Sequence, residues 1–140
     1  MSAAAILAPG FVLVALTFLL MFWMGAVRYA SVNRRETRIG DIALGQQNWP
    51  PRVTQIGNAF NNQFQLPTLF YALVILALVL HKADLVFVIM SWGFVVLRVL
   101  HAAIHTTTNR MLHRFGVYVA GALVLLAMWI ILASRILLTT

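Results

Sequence analysis

The sequence contains no cysteine, and only three of its 140 residues are acidic. Without cysteine the protein can form neither a disulfide nor a thiolate metal site, and it has no thiol nucleophile of its own. The three carboxylates, Glu36, Asp41 and Asp84, lie outside the long apolar segments, so a paired-carboxylate acid–base site is not expected. Any thiol chemistry must therefore use a thiol that arrives with the substrate.

Charge of either sign is scarce. Charged residues make up 9% of the chain and hydrophobic residues 62%, and the mean hydropathy is +0.91. A soluble domain has about a quarter charged residues and roughly half apolar ones. The composition therefore predicts an integral membrane protein, and the length leaves room for one domain spanning residues 1–140.

Four apolar segments, at about residues 6–27, 53–80, 85–105 and 111–137, are long enough to cross a membrane, which takes roughly 20 residues. They predict an all-α, integral membrane four-helix bundle. The first segment has no basic start and is long for a signal peptide, so we expect it to be retained. A polar loop at about residues 28–52 ends in Pro50-Pro51, and proline is well suited to open the second helix.

The net charge of +7 follows the predicted topology. Seven of the ten lysines and arginines fall in the first and third connections, namely Arg28, Arg34, Arg35, Arg38, Arg52, Arg110 and Arg114. The positive-inside rule then puts both connections in the cytoplasm and both termini outside it. Because the rule explains most of the charge and no aromatic-basic binding module is present, we expect no nucleic-acid partner.

Amides precede the apolar part of the second segment. That part, residues 66–80, would span roughly 22 Å, which is less than a hydrocarbon core of about 30 Å. The helix must then draw Asn58, Asn62 and Gln65, spaced i, i+4 and i+7, into the membrane, with Asn61 beside them. Amides facing lipid are unfavourable, so they face either other helices, as hydrogen-bonding contacts, or a polar binding cavity.

The third segment carries Arg98, His101 and His105 at i, i+3 and i+7. Arg98 lies about two turns, or roughly 10 Å, from the cytoplasmic end. It is either a functional residue or a structural partner for the amides. Both polar stripes approach the same face and together predict one pocket open to the cytoplasm. The two histidines have the spacing of metal ligands, but only His113 lies near them in sequence, so we expect no metal site.

Arg110 and Arg114 fall at the predicted mouth of this pocket. They are either part of the site or ordinary cytoplasmic charges.

These residues resemble a pattern of the MAPEG family, the membrane-associated proteins of eicosanoid and glutathione metabolism. Its glutathione-using enzymes carry Arg-xxx-Asn-xx-Glu at the start of the second helix, where this chain has Asn58-xxx-Asn62-xx-Gln65, followed by Pro67. On the third helix the family has Arg-xx-Tyr-xxx-Tyr, and this chain has Arg98-xx-His101-xxx-His105. The sequence is thus similar to a divergent, bacterial-type member in which the arginine, the glutamate and both tyrosines are replaced.

The resemblance implies a homotrimer with sites between subunits, surrounded by membrane lipids. It also implies a glutathione transferase or peroxidase acting on lipophilic substrates at the cytoplasmic face, with glutathione as cosubstrate. Asn58, Asn62, Gln65 and Arg98 would bind the glutathione, and Arg110 or Arg114 would activate its thiol. His101 and His105 would hydrogen-bond the ligand or relay a proton. The replaced ligands favour a second implication, a non-catalytic lipid-binding protein or an accessory subunit of a larger membrane complex.

Overall fold

Five α-helices form the chain in a computed structural model that describes residues 1–138. They are α1 (Ala3–Asn33), α2 (Pro51–Asn61), α3 (Leu66–Val79), α4 (Leu85–Thr106) and α5 (Met111–Leu137). Helices α2 and α3 together make one span, Pro51–Val79, so four helices are long and apolar enough to cross a membrane. This confirms the prediction of an all-α integral membrane protein with four spans.

The first helix is longer than the apolar run that predicted it. Helix α1 begins at Ala3, where Ser2 Oγ accepts a hydrogen bond from the Ala5 N–H at 3.3 Å, and it continues to Asn33. No proline or glycine interrupts the chain between Arg28 and Asn33, so the helix extends beyond the apolar segment. The polar connection therefore begins at Arg34 rather than at residue 28.

The second predicted helix is interrupted. A 3₁₀ turn, Asn62–Phe64, separates α2 from α3, and Gln65 has φ −93° and ψ −106°. Pro67 has no N–H to donate to the carbonyl of Gln63, which a continuous helix would require. The backbone instead makes bonds to the third residue back, from Gln65 N to Asn62 O at 3.3 Å and from Thr68 N to Gln65 O at 3.2 Å. The interruption lies within the predicted amide stripe and changes the direction of its side chains.

The core lies between α1, α3, α4 and α5. Phe70 of α3 and Phe94 of α4 are fully buried, and their rings stack with centroids 4.8 Å apart. Leu13 of α1 and Leu125 of α5 belong to the same apolar cluster. Helix α4 thus lies in the middle of the bundle. Because of this position Arg98, a polar residue farther along α4, is also buried.

The end of α4 is bound by side chains of α2. Gln55 Nε2 donates to the carbonyls of His105 at 2.8 Å and Thr107 at 3.2 Å, and Arg52 donates to the carbonyl of Thr106. These are carbonyls that a helix leaves unpaired at its C-terminus, and a cation there also interacts favourably with the helix dipole. The contacts hold α2 beside the last turn of α4, where the polar residues of both helices meet.

Candidate functional site

A cleft of about 380 Å³ opens at the end of the bundle where α4 ends and α2 and α5 begin, which we call the basic end. Helices α2, α4 and α5, with the turn after α2, supply its lining. The lining residues are Asn58, Asn61, Asn62, Gln65, His101, His105, Met111, Arg114, Phe115 and Tyr118. The two polar stripes of the sequence therefore meet at one cavity, which we call the basic-end cleft.

The turn after α2 organises the amides. Asn62 Nδ2 donates to Gln65 Oε1 at 3.0 Å, and the Tyr118 hydroxyl donates to the same oxygen at 3.3 Å. The Gln65 side chain thereby joins the turn to α5. An amide oxygen has two lone pairs, so these two bonds occupy its accepting capacity.

Arg98 lies behind the cleft lining and is 1% exposed. Its Nη2 donates to the backbone carbonyl of Asn62 at 3.3 Å and also to Asn62 Oδ1. Its Nε and Nη1 are buried and have no hydrogen-bond partner within residues 1–138. Over the same residues the one ion pair joins Arg135 to Asp84, so Arg98 has no counterion. Its guanidinium carbon lies 5.8 Å from the centre of the Tyr118 ring, a cation–π contact.

His101 and His105 are buried at the inner wall of the cleft. Their ring centroids are 5.5 Å apart, and the His101 ring lies 5.5 Å from that of Tyr118. The Nδ1 atom of each histidine is buried without a partner among the described residues. In residues 1–138 no cluster of three or more histidine, cysteine or acidic side chains is suited to hold a metal ion. The pair can therefore offer hydrogen bonds to a ligand in the cleft.

The two arginines near the start of α5 differ in position. Arg114 lines the cleft, and its Nη1 donates to Asn109 Oδ1 at 2.6 Å, which orients the guanidinium. Arg110 precedes the first residue of α5 and is not among the lining residues. Its backbone carbonyl accepts the Arg114 N–H at 2.9 Å, as the first turn of the helix requires.

Three lining residues were not identified from the sequence: Met111, Phe115 and Tyr118. Tyr118 contacts Gln65, His101 and Arg98 and is the most connected of the three. It follows Arg114 by four residues, so a helical reading of the segment would have put both side chains on one face. Met111 and Phe115 share this helical spacing, since each lies three residues before Arg114 or Tyr118, but an apolar residue in a membrane helix does not by itself indicate a site.

Comparison with known proteins gives one result. A family model described as MAPEG family matches residues 6–134, which is nearly the whole chain. No curated protein and no solved structure matches the sequence.

Proposed function

Because this chain belongs to the MAPEG family, we propose that its basic-end cleft binds an anionic thiol of the glutathione class and uses it on lipophilic compounds. The observation that carries the proposal is Arg98, which is buried directly behind an open polar cleft and has no counterion among residues 1–138. A buried, unpaired cation is unfavourable, and an anionic ligand in the cleft would compensate it. Structural hydrogen bonding alone gives no reason for Nε and Nη1 to remain unpaired.

The residues that line the cleft, and Arg98 behind them, have different proposed roles. Asn58, Asn62 and Gln65 offer amide groups that can orient a peptide-like ligand, with Arg98 attracting its carboxylate. Arg114 is the cation exposed to the cleft, so it is the arginine of the two candidates that we assign to the thiol. A nearby guanidinium lowers the pKa of a bound thiol and so increases the fraction present as the nucleophilic thiolate.

In a transferase reaction the thiolate sulfur forms a bond to an electrophilic carbon. The bond from that carbon to its leaving group breaks, and the leaving group departs with the electron pair. In a peroxidase reaction two thiols reduce one hydroperoxide to an alcohol and water, and the two thiols become a disulfide. In both reactions His101 or His105 can accept the proton that the thiol releases.

The proposal includes the surroundings of the site. The basic end faces the cytoplasm by the positive-inside rule, which leaves both termini outside, and the thiol enters from that side. Large apolar side chains such as Phe11, Phe22 and Ile130 are exposed along the spans and would contact lipid or other subunits. We propose a homotrimer, as the family relationship implies, and native mass spectrometry of the detergent-solubilised protein measures the subunit number.

A second candidate function is lipid binding without catalysis, alone or as an accessory subunit of a membrane complex. Two grooves between α1 and the region around α3, of about 240 and 210 Å³, favour it. Val14 and Tyr71 line both grooves, and most other lining residues are apolar. A lipid that copurifies in fixed stoichiometry, together with no thiol binding, would favour this function over the enzyme.

The enzyme proposal is tested by titrating the detergent-purified protein with glutathione and with related anionic thiols, following heat and the ultraviolet absorbance of thiolate. We expect saturable binding with thiolate formation in the wild type. Arg114→Ala should lower the thiolate yield by about tenfold or more, whereas Arg110→Ala, the matched control four residues earlier, should leave it unchanged. Equal losses in both variants would contradict the assignment of Arg114, and no binding by any of these thiols would contradict the proposal.

A further inference from the structure

We propose that the anion bound in the basic-end cleft carries no free ammonium group, so that the preferred thiol is N-acylated or lacks an amine. This inference rests on the proposed function, because it specifies the substrate class of the same site. It follows from the charges and the hydrogen-bond acceptors that the cleft presents.

Within residues 1–138 of one chain, no residue that lines the cleft offers a negative charge to an ammonium group. None of the ten lining residues is acidic, and Arg114 brings a full positive charge. Of the three acids in the chain, Asp84 pairs with Arg135 at the opposite end of the bundle. Glu36 and Asp41 are exposed in the connection after α1, and neither lines the cleft. An ammonium in this site would lose hydration and gain repulsion from Arg114 and from the buried Arg98.

The amide oxygens of Asn62 and Gln65 already accept hydrogen bonds from other side chains. Gln65 Oε1 accepts from both Asn62 Nδ2 and the Tyr118 hydroxyl, which fills its two lone pairs. Asn62 Oδ1 accepts one hydrogen bond, from the Arg98 guanidinium, so an ammonium that used its remaining lone pair would lie beside that positive charge. The amide nitrogen of Gln65, in contrast, makes no hydrogen bond within residues 1–138 and remains a donor. This part of the cleft therefore presents donors, which suit a carboxylate or a thiolate and disfavour an ammonium.

Asn58 and Asn61 do not change this conclusion. Both line the cleft and can offer a neutral carbonyl oxygen. A neutral carbonyl can accept a hydrogen bond from an ammonium, but it does not balance the ammonium's unit charge against two nearby guanidinium groups.

The test compares glutathione with N-acetylglutathione, which differ in the charge at one nitrogen. Both are titrated into the full-length protein in detergent, and binding is measured by calorimetry with thiolate absorbance in parallel. We expect N-acetylglutathione to bind about tenfold more tightly or better, because its nitrogen leaves no unpaired charge in the cleft. Gln65→Glu, which supplies a carboxylate at the cleft, should reduce or reverse this preference. Gln47→Glu makes the same chemical change at an exposed position outside the cleft lining and should keep it.

The outcomes separate this inference from the proposed function. If glutathione binds as tightly as N-acetylglutathione, or more tightly, the inference is overturned and the proposed function stands. If neither thiol binds, and no related anionic thiol binds either, both are overturned. The comparison of the two thiols uses the wild-type protein, so it tests the inference even if Gln65→Glu does not fold.

Discussion

The substitution Arg98→Met tests whether the Arg98 guanidinium binds a ligand or stabilises the fold. The substitution replaces a side chain that is 1% exposed by an unbranched apolar one that reaches about as far as Nε, and it removes the charge and all donors. If Arg98 serves a ligand, the variant should lose thiol binding and keep its stability. If Arg98 is a structural partner of the amides, the variant should lose stability.

The magnitude follows from the contacts of Arg98. The variant loses two hydrogen bonds to Asn62, each worth about 1.5–3 kcal/mol because the donor is charged. It also removes the buried Nε and Nη1, which have no partner within residues 1–138, and each unpaired group costs about 1–3 kcal/mol. The loss of the hydrogen bonds destabilises the variant, and the removal of the unpaired groups stabilises it by a similar amount. We therefore expect a change in the free energy of unfolding within about 2 kcal/mol of zero.

The assay is thermal unfolding in detergent, together with the thiol titrations. Phe94→Ala provides the comparison for a destabilised protein, since Phe94 is fully buried one turn earlier on α4. A large-to-small change of this kind costs about 3–5 kcal/mol in a soluble core. A loss of stability for Arg98→Met as large as that for Phe94→Ala, with thiol binding retained, would refute the reasoning.

Two further predictions concern the contacts that hold the helix ends. Gln55→Leu removes both hydrogen bonds to the last carbonyls of α4 and should destabilise the protein by about 1–2 kcal/mol in thermal unfolding, whereas Gln47→Leu at an exposed position should not. The hydrogen bond from Arg135, with a second from the Phe87 N–H, lowers the pKa of Asp84 below its ordinary value of 3.8. This group therefore stabilises the fold above pH 3.8, and the stabilisation is lost as the pH falls through the lower, folded-state pKa. The melting temperature of the wild type should fall more steeply over this acidic range than that of Asp84→Asn, although only slightly because the pair is partly exposed. Parallel acid profiles would show that the ion pair contributes nothing.

The spans were predictable because a membrane helix needs a long apolar run, and the sequence contains four of them. Helix ends were less predictable. The extension of α1 to Asn33 depends on the absence of a stop signal, which hydropathy does not report. The interruption at Gln65 had a visible cause in Pro67, but a proline near a membrane helix is often tolerated, so its effect required the backbone.

The candidate site was predictable where residue type and spacing agree. The amides and the pair of histidines have helical spacing, and both sets line the basic-end cleft. Spacing did not distinguish Arg110 from Arg114, because it does not show that Arg110 precedes the first residue of α5 whereas Arg114 lies within the helix and lines the cleft. Tyr118 was missed because a tyrosine in an apolar helix has many ordinary roles.

The sequence by itself determined the number of spans, the polar stripes and the family, since each depends on composition and order along one chain. Tertiary structure decided which side chains contact one another and which groups face the cleft. The packing of α4 between its neighbours buries Arg98, which has no counterion in the part of the chain that the structure describes. The turn after α2 directs the oxygen of Gln65 toward Asn62 and Tyr118. Those contacts join residues far apart in the chain, and they determine which donors and which charges remain available to a ligand.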